Sequence, residues 1–286
     1  METLSRESPA KINLTLRVGD ARPDGFHEIE SLVAQIGLYD HVTVTSREDR
    51  RHLVECDDRT IPCDETNLAR RAARLLAESA GVRRGVLISL AKRIPPGAGL
   101  GGGSSNAAAT LKLLNSLWRL GLSHPDLASL GAQLGSDVPL FCYGPLCVVR
   151  SRGEAVEELR DRIALWAALI LPDLPCSTAA VYAAWNALTE QPAHASLGEV
   201  RSAAHSAAGL MDLLYNDLEL AAFAVAPPLG RLAERVAEIA GGPVRMSGSG
   251  SALFRLFEQR DDAELFASEV AKHLGVRTTV AQLLAS

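Results

Sequence analysis

No apolar run in this sequence is long enough to span a bilayer. The longest charge-free apolar stretch of note, Val138 to Val149, is broken by Gly144 and Pro145, whereas a spanning helix takes about 20 apolar residues. The opening METLSRESPAKINL has no apolar signal core. Cysteine is scarce: Cys56, Cys63, Cys142, Cys147 and Cys176 are odd in number, with no CxxC pair and none beside a His in a zinc pattern. That excludes a disulfide scaffold and a zinc ribbon, and the expectation is buried, reduced thiols in a cytoplasmic protein. The seven histidines form no HExxH, which removes that class of metal hydrolase. A basic surplus is also missing. The net charge of −5 argues against a general nucleic-acid binder, although a local cluster of Lys and Arg can still hold an anionic small molecule.

What is present is a globular composition, 47% hydrophobic and 22% charged over 286 residues, enough for one large domain or two modest ones. Alternation over Lys11 to Val18 predicts a half-buried strand, and RPDGFHE (Arg22 to Glu28) predicts a turn. Ile29–Leu38, His41–Thr45, Val86–Leu90 and Leu146–Val149 read as further strands. Asn67–Ala80 reads as a helix with Leu68, Ala72, Leu75 and Leu76 on one face and Gly81 as its stop. Short helices are expected at Asp126–Leu134 and Thr178–Leu188, and longer ones at Met211–Phe223, Leu229–Ala240 and Asp261–Leu274. Strands are expected at Ala164–Leu171, Ala252–Phe257 and Arg277–Leu283. The irregular alternation indicates an α+β fold. The charged SRGEAVEELRDR (Ser151 to Arg162), between two apolar strands, suggests a boundary between two domains, 1–158 and 159–286.

One stretch stands apart, IPPGAGLGGGSSNAAATLKLLNSLW, a glycine loop that runs directly into a helix from about Ser104 to Trp118. Glycines at 97, 99, 101, 102 and 103 let the backbone approach a ligand and adopt positive φ. The helix start adds free N–H groups and the positive end of a dipole, a combination that binds phosphate. Ser104 and Ser105 can cap that helix or reach phosphate oxygens. This is not a P-loop, because Gly103 stands where GxxxxGK[ST] places its Lys. It matches GxGxxG literally, but no Asp or Glu occurs between Gly97 and Pro125 to bind a ribose.

Pro9-Ala10-Lys11-Ile12-Asn13-Leu14, the loop PPGAGLGGGSS and the late SGSGS (Ser247 to Ser251) together resemble the three motifs of the GHMP small-molecule kinases. More narrowly, RPDGFHEIESLV, Asn67-Leu68 and LGSDVPLF resemble the branch of that family that acts on a cytidyl-diphospho polyol. The resemblance runs from about Ser8 to Phe257. It implies a two-domain α+β architecture, a ribosomal protein S5 domain 2-like N-terminal domain with a ferredoxin-like C-terminal one. It also implies transfer of a phosphoryl group from ATP to the 2-hydroxyl of 4-diphosphocytidyl-2-C-methyl-D-erythritol.

The resemblance places a catalytic pair on Lys11 and Asp137. It places ATP on Pro95, Pro96, Gly97, Ala98, Gly99, Leu100, Gly101, Gly102, Gly103, Ser104 and Ser105, with Asn67, Lys92 and Asn106 beside it. Phe26 and His27 follow the Asp-Gly turn, and Phe26 stands where relatives often carry Tyr. With Thr178 and Tyr182 they form the implied cytidine site, Phe26 and Tyr182 on opposite faces of the base, while Asn13 shares a strand face with Lys11. Each position also has a plainer reading: a solvent-facing strand residue for Lys11, a turn cap for Asp137, an N-cap for Asn67, a surface His for His27 and a core aromatic for Tyr182. Magnesium is expected to travel with ATP and is assigned no protein ligand. The expected partners are small molecules, without nucleic acid or membrane, around a monomer or homodimer. Three other functions remain open to the sequence. They are a GHMP kinase for homoserine or mevalonate, a non-catalytic nucleotide-binding module, and a dinucleotide oxidoreductase, which the missing acid disfavours.

Overall fold

A computed structural model describes residues 1–188 and 194–284. The chain starts with β1 (Thr3–Asn13) and β2 (Thr15–Ala21), a single path broken only at Leu14. Next is β3 (His27–Arg47), one 21-residue strand where the sequence suggests two. β4 (His52–Cys56) and α1 (Leu68–Ala80) lead to β5 (Gly85–Ala91), and the glycine loop then enters α2 (Gly102–Leu117). α3 (His124–Ala132) and a single 3-10 turn at Pro139–Cys142 precede the hairpin of β6 (Leu146–Ser151) and β7 (Ala155–Glu158). That hairpin occupies the segment where the sequence suggests a domain boundary. The charged residues of 151–162 include the outer strand of a pair, with Arg150 bonded to Glu157 at 2.8 Å.

The second half contains β8 (Trp166–Leu171), α4 (Thr178–Trp185), α5 (Leu197–Ser202), α6 (Ala207–Leu213), β9 (Tyr215–Asn216), α7 (Leu218–Val225) and α8 (Pro227–Ala240). It ends with β10 (Arg245–Met246), β11 (Leu253–Phe257), α9 (Arg260–Leu274) and β12 (Arg277–Gln282). The expected helix over 211–223 is thus three elements. Tyr215 and Asn216 leave the helical path to pair in parallel with Thr15 and Leu16 of β2, so a tertiary strand contact overrides local periodicity.

β3 organises the larger sheet. β1 and β2 follow one edge, while β6 and β5 occupy successive lengths of the other. The smaller sheet has the antiparallel order β10-β11-β8-β12. α1 buries Ala69, Ala72, Ala73, Leu76 and Ala77, an i, i+3, i+4, i+7, i+8 stripe. It shares its core with α2 and the residues of β3 and β5 that face them. A second core joins the two sheets, with Ile12, Leu32 and Ile36 against Leu169 and Phe254. The two sheets therefore enclose the ground between the glycine loop and the C-terminal half, where the functional groups converge. The thiols divide by burial. Cys142 and Cys147 are buried, Cys56 and Cys176 are half-buried, and Cys63 is exposed, so the expectation of buried thiols holds for only part of the set.

Candidate active site

The glycine loop is a left-handed path that only glycine follows without strain. Gly97, Gly99 and Gly101 have φ of 68°, 76° and 71°. At Gly99 a Cβ would stand 2.1 Å from the Ser247 carbonyl oxygen, so the two glycine-rich turns touch backbone to backbone. Ser247 Oγ donates to Gly99 O at 3.0 Å, and Ala252 N donates to Ala98 O at 3.1 Å. Gly101 is the left-handed N-cap of α2, which starts at Gly102, two residues before the sequence suggests. The first turn of α2 contains no acidic residue, so its free N–H groups and positive dipole end are open to an anion.

Lys11 and Asp137 meet across this loop, with Lys11 Nζ 3.8 Å from Asp137 Oδ2. Lys11 is buried, contrary to the plain strand reading, and Lys11 N donates to Leu100 O at 3.0 Å. Its ammonium donates to Asn13 Oδ1 at 2.6 Å, and Asn13 Nδ2 donates to Ser31 Oγ at 2.8 Å. The Asn13 amide is therefore fixed in orientation and aims the lysine. Burial pushes the Lys11 ammonium below its ordinary lysine value, and the Asp137 charge partly offsets that. Asp137 lies in the turn between α3 and Pro139, with its side chain 48% exposed. It lines a cavity of about 230 Å³ with Lys11, Asn13, Thr178, Tyr182 and Gly248.

A neighbouring cavity of about 350 Å³ runs along the other side of the loop, lined by Asn67, Lys92, Pro95 to Ser104 and Asn106. Asn67 is both an N-cap and a wall of this cavity. Its Oδ1 accepts from Ala69 N at 2.9 Å and its Nδ2 donates to Pro62 O at 2.7 Å. Ser105 points inward, where its Oγ accepts from Ser8 Oγ at 2.7 Å. The ammonium of Lys92 is turned to the buried Asp40 carboxylate.

One aromatic side chain, Tyr182, lines the cavity that holds Lys11 and Asp137. His27 is buried, with Nδ1 3.0 Å from Gly19 O, and it stacks on Tyr182 at 5.6 Å between centroids and 24°. Trp185 meets the same imidazole edge-on at 5.2 Å. Phe26 is exposed and carries the Arg152 guanidinium over its ring at 5.4 Å. In this structure Tyr182 thus pairs with His27, while Phe26 pairs with Arg152. Burial, helped by Asp137, pushes the Tyr182 hydroxyl up to about 12, so it stays protonated and able to donate. Thr178 Oγ1 and Ser249 Oγ are 2.8 Å apart, which ties α4 to the third glycine-rich turn.

Sequence reasoning missed the segment Tyr215 to Glu219. Asn216 Nδ2 donates to both Met246 O and Gly248 O, at 2.8 and 2.7 Å, and Glu219 Oε1 accepts from Met246 N at 2.7 Å. These two side chains hold the third turn over Lys11. Their local signal was the polar group Asn216, Asp217 and Glu219 within the apolar-rich stretch Met211 to Phe223.

Two family descriptions match the chain: GHMP kinases N terminal domain over residues 67–145 and GHMP kinases C terminal over residues 193–276. The chain belongs to the GHMP kinase family. Among its GHMP relatives, a 4-diphosphocytidyl-2-C-methyl-D-erythritol kinase from Shouchella clausii is 41% identical over 258 residues, covering 89% of this chain and 86% of that one. A crystal structure of 4-(cytidine 5'-diphospho)-2C-methyl-D-erythritol kinase superposes with a TM-score of 0.83 at 35% identity, over 99% of this chain and 100% of the other. A homoserine kinase from Cytophaga hutchinsonii, at 19% identity and a TM-score of 0.71 over 100% of this chain and 95% of the other, shares the GHMP kinase fold.

Proposed function

We propose that this GHMP kinase transfers the γ-phosphoryl group of ATP to the 2-hydroxyl of 4-diphosphocytidyl-2-C-methyl-D-erythritol, giving the 2-phosphate and ADP, in the non-mevalonate isoprenoid pathway. The observation that carries the reading is the position of the Lys11–Asp137 pair. Both residues line the cavity that adjoins the glycine loop and that Tyr182 also lines. The relatives at 41% and 35% identity over their aligned lengths bear the name of that kinase.

In this reading the triphosphate lies on the loop Pro95–Ser105 and the first turn of α2. The acceptor hydroxyl lies between Lys11 and Asp137. Asp137 accepts the hydroxyl proton as the alcohol oxygen attacks the γ-phosphorus and the bond to the β–γ bridging oxygen breaks. Lys11 stabilises charge on the transferred group, and the loop N–H groups and the α2 dipole do the same from the other side. Phe26, His27 and Tyr182 bind the cytosine, and Thr178 and Asn13 contact the remainder of the alcohol. Asn67, Lys92 and Asn106 shape the nucleotide cavity.

Magnesium enters on the phosphates of ATP. Among the described residues no group of three or more His, Cys, Asp or Glu converges to hold a metal. Among the described residues no helix is long and apolar enough to cross a membrane. We assign the chain to the cytoplasm, as a monomer or homodimer, with domains at 1–158 and 159–286. Steady-state ADP release tests the substrate assignment, with 4-diphosphocytidyl-methylerythritol, methylerythritol phosphate, mevalonate and homoserine offered separately. Turnover with the first alone is expected. Comparable turnover with any of the others would contradict the cytidine site.

A further inference from the structure

Asp40 has no part in the reading above, yet it is among the most fully engaged carboxylates in the molecule. Its side chain is entirely buried, in the length of β3 between the residues paired to β6 and those paired to β5. Oδ1 accepts from Arg93 N at 2.7 Å and from Ile94 N at 2.9 Å. Oδ2 accepts from Asn106 Nδ2 at 2.9 Å and from the Lys92 ammonium. Arg93 and Ile94 are the last residues before Pro95, where the glycine loop starts, and Asn106 lies in α2 just after Ser105, where the loop ends. One carboxylate therefore binds both ends of the same loop.

The Lys92 ammonium completes the junction. It also donates to Asn106 Oδ1 at 3.1 Å, and a Cβ at Gly102 would stand 3.3 Å from it. Asn106 Nδ2 donates on to Ser8 Oγ at 3.0 Å, and Ser8 Oγ donates to Ser105. The cluster thus reaches the second helical turn from below. Ser8, Asp40, Ser105 and Asn106 are buried, the Lys92 side chain is almost wholly covered, and the charges of Asp40 and Lys92 cancel. Loss of one member leaves a buried charge uncompensated, which is costly, so the geometry of the loop is over-determined.

We propose that Asp40 is a positioning residue for ATP: it neutralises Lys92 and pins the entry and exit of the glycine loop, so that the loop N–H groups are set for phosphate before nucleotide arrives. The inference rests on the reading of this loop as the ATP cradle. It gives Lys92 a scaffold role, so the phosphate charge is met chiefly by backbone N–H groups, the α2 dipole and Lys11. The opposite view is that the Lys92 charge acts directly on phosphate, with Asp40 merely damping it. The two views predict opposite signs.

The test is calorimetric binding of the magnesium complex of a non-hydrolysable ATP analogue to the full chain, with KM for each substrate and a melting temperature. In Asp40→Asn the analogue should bind about tenfold more weakly, because a loop displaced by a fraction of an ångström loses aligned donors. KM for the cytidyl alcohol should stay within about twofold, since none of the residues assigned to it bonds to Asp40, Lys92 or Asn106. Tighter or unchanged binding would overturn the proposal, because removal of the carboxylate would then have released a useful charge. Where Asp40→Asn does not fold, Asp40→Glu keeps the Lys92 ammonium paired and shifts the carboxylate by one methylene, so it moves the loop ends without releasing the charge. It should still bind the analogue about tenfold more weakly, and wild-type affinity there would overturn the proposal. Nucleotide affinity is read without the alcohol, so an error in the acceptor assignment would appear in the substrate panel and leave this result untouched.

Discussion

The Lys11 ammonium is held 2.6 Å from Asn13 Oδ1 and 3.8 Å from Asp137 Oδ2, beneath a glycine-rich turn whose Gly248 approaches it closely: a Cβ there would stand 3.3 Å from Lys11 Nζ. The lysine is oriented by a fixed amide and loosely paired with a half-exposed carboxylate. That arrangement leaves space near both charges for an alcohol oxygen and a phosphoryl group.

The same arrangement predicts a pH dependence in which activity and stability run in opposite directions. Burial lowers the Lys11 pKa from 10.5. Activity that needs the ammonium is therefore lost as pH rises through that lowered value, and the alkaline limb of kcat/KM should fall below pH 10.5. Over the same window the unfolded chain binds the proton more tightly than the folded one, so stability should rise with pH. Urea denaturation at several pH values, with Lys11→Met as the control, checks the second part. The methionine variant should lose both that rise and the activity.

Gly99 offers a backbone test. Its φ is 76°, and a Cβ would meet the Ser247 carbonyl oxygen at 2.1 Å. Gly99→Ala must strain the loop or part it from the third turn, at a cost of about 1–3 kcal/mol. We expect a lower melting temperature together with weaker ATP binding. Wild-type affinity in a folded Gly99→Ala variant would mean that the contact between the two turns does not set the phosphate site.

The cytidine assignment is testable at Phe26. The ring is 48% exposed and covered on one side by Arg152. Phe26→Ala should raise KM for the cytidyl alcohol by the equivalent of about 1–3 kcal/mol, the worth of a base stack, with KM for ATP unchanged. An unchanged alcohol KM would remove Phe26 from the site and leave the base to His27 and Tyr182.

Thiol chemistry checks the packing around the site. Burial pushes the Cys142 thiol up to about 11 and Cys147 up to about 12, whereas Cys63 is exposed. An aromatic disulfide reagent at pH 8 should label Cys63 rapidly and reach Cys142 and Cys147 only on unfolding. Rapid labelling of Cys142 would show that the Pro139–Cys142 turn behind Gly101 opens in the native state.

The legible parts of the sequence were those governed by local rules. The α1 helix, its Gly81 stop and the glycine loop before α2 depend on periodicity and on φ, which neighbouring residues encode, although the buried face of α1 is Ala69, Ala72, Ala73, Leu76 and Ala77, with the expected Leu68 and Leu75 only half-buried. The lysine and aspartate were reached only through the resemblance, because nothing local says that residues 11 and 137 meet. Asn216, Glu219 and Asp40 were missed for the same reason. Their partners lie at Met246, Gly248, Arg93 and Asn106, and a buried polar residue looks like a surface one until the fold closes over it. The helix misread over 211–223 failed where strand pairing with Leu16 replaced an apolar helical period.

Rapid-quench single turnover of Asp137→Asn with magnesium ATP and 4-diphosphocytidyl-methylerythritol tests the central claim most directly. The asparagine cannot accept the hydroxyl proton. Transfer should slow by about 10²–10⁴-fold, the usual worth of a general base, while the nucleotide dissociation constant stays near the wild-type value. Phosphoryl transfer at close to the wild-type rate would contradict the assignment of Asp137 as the base and with it the site as described.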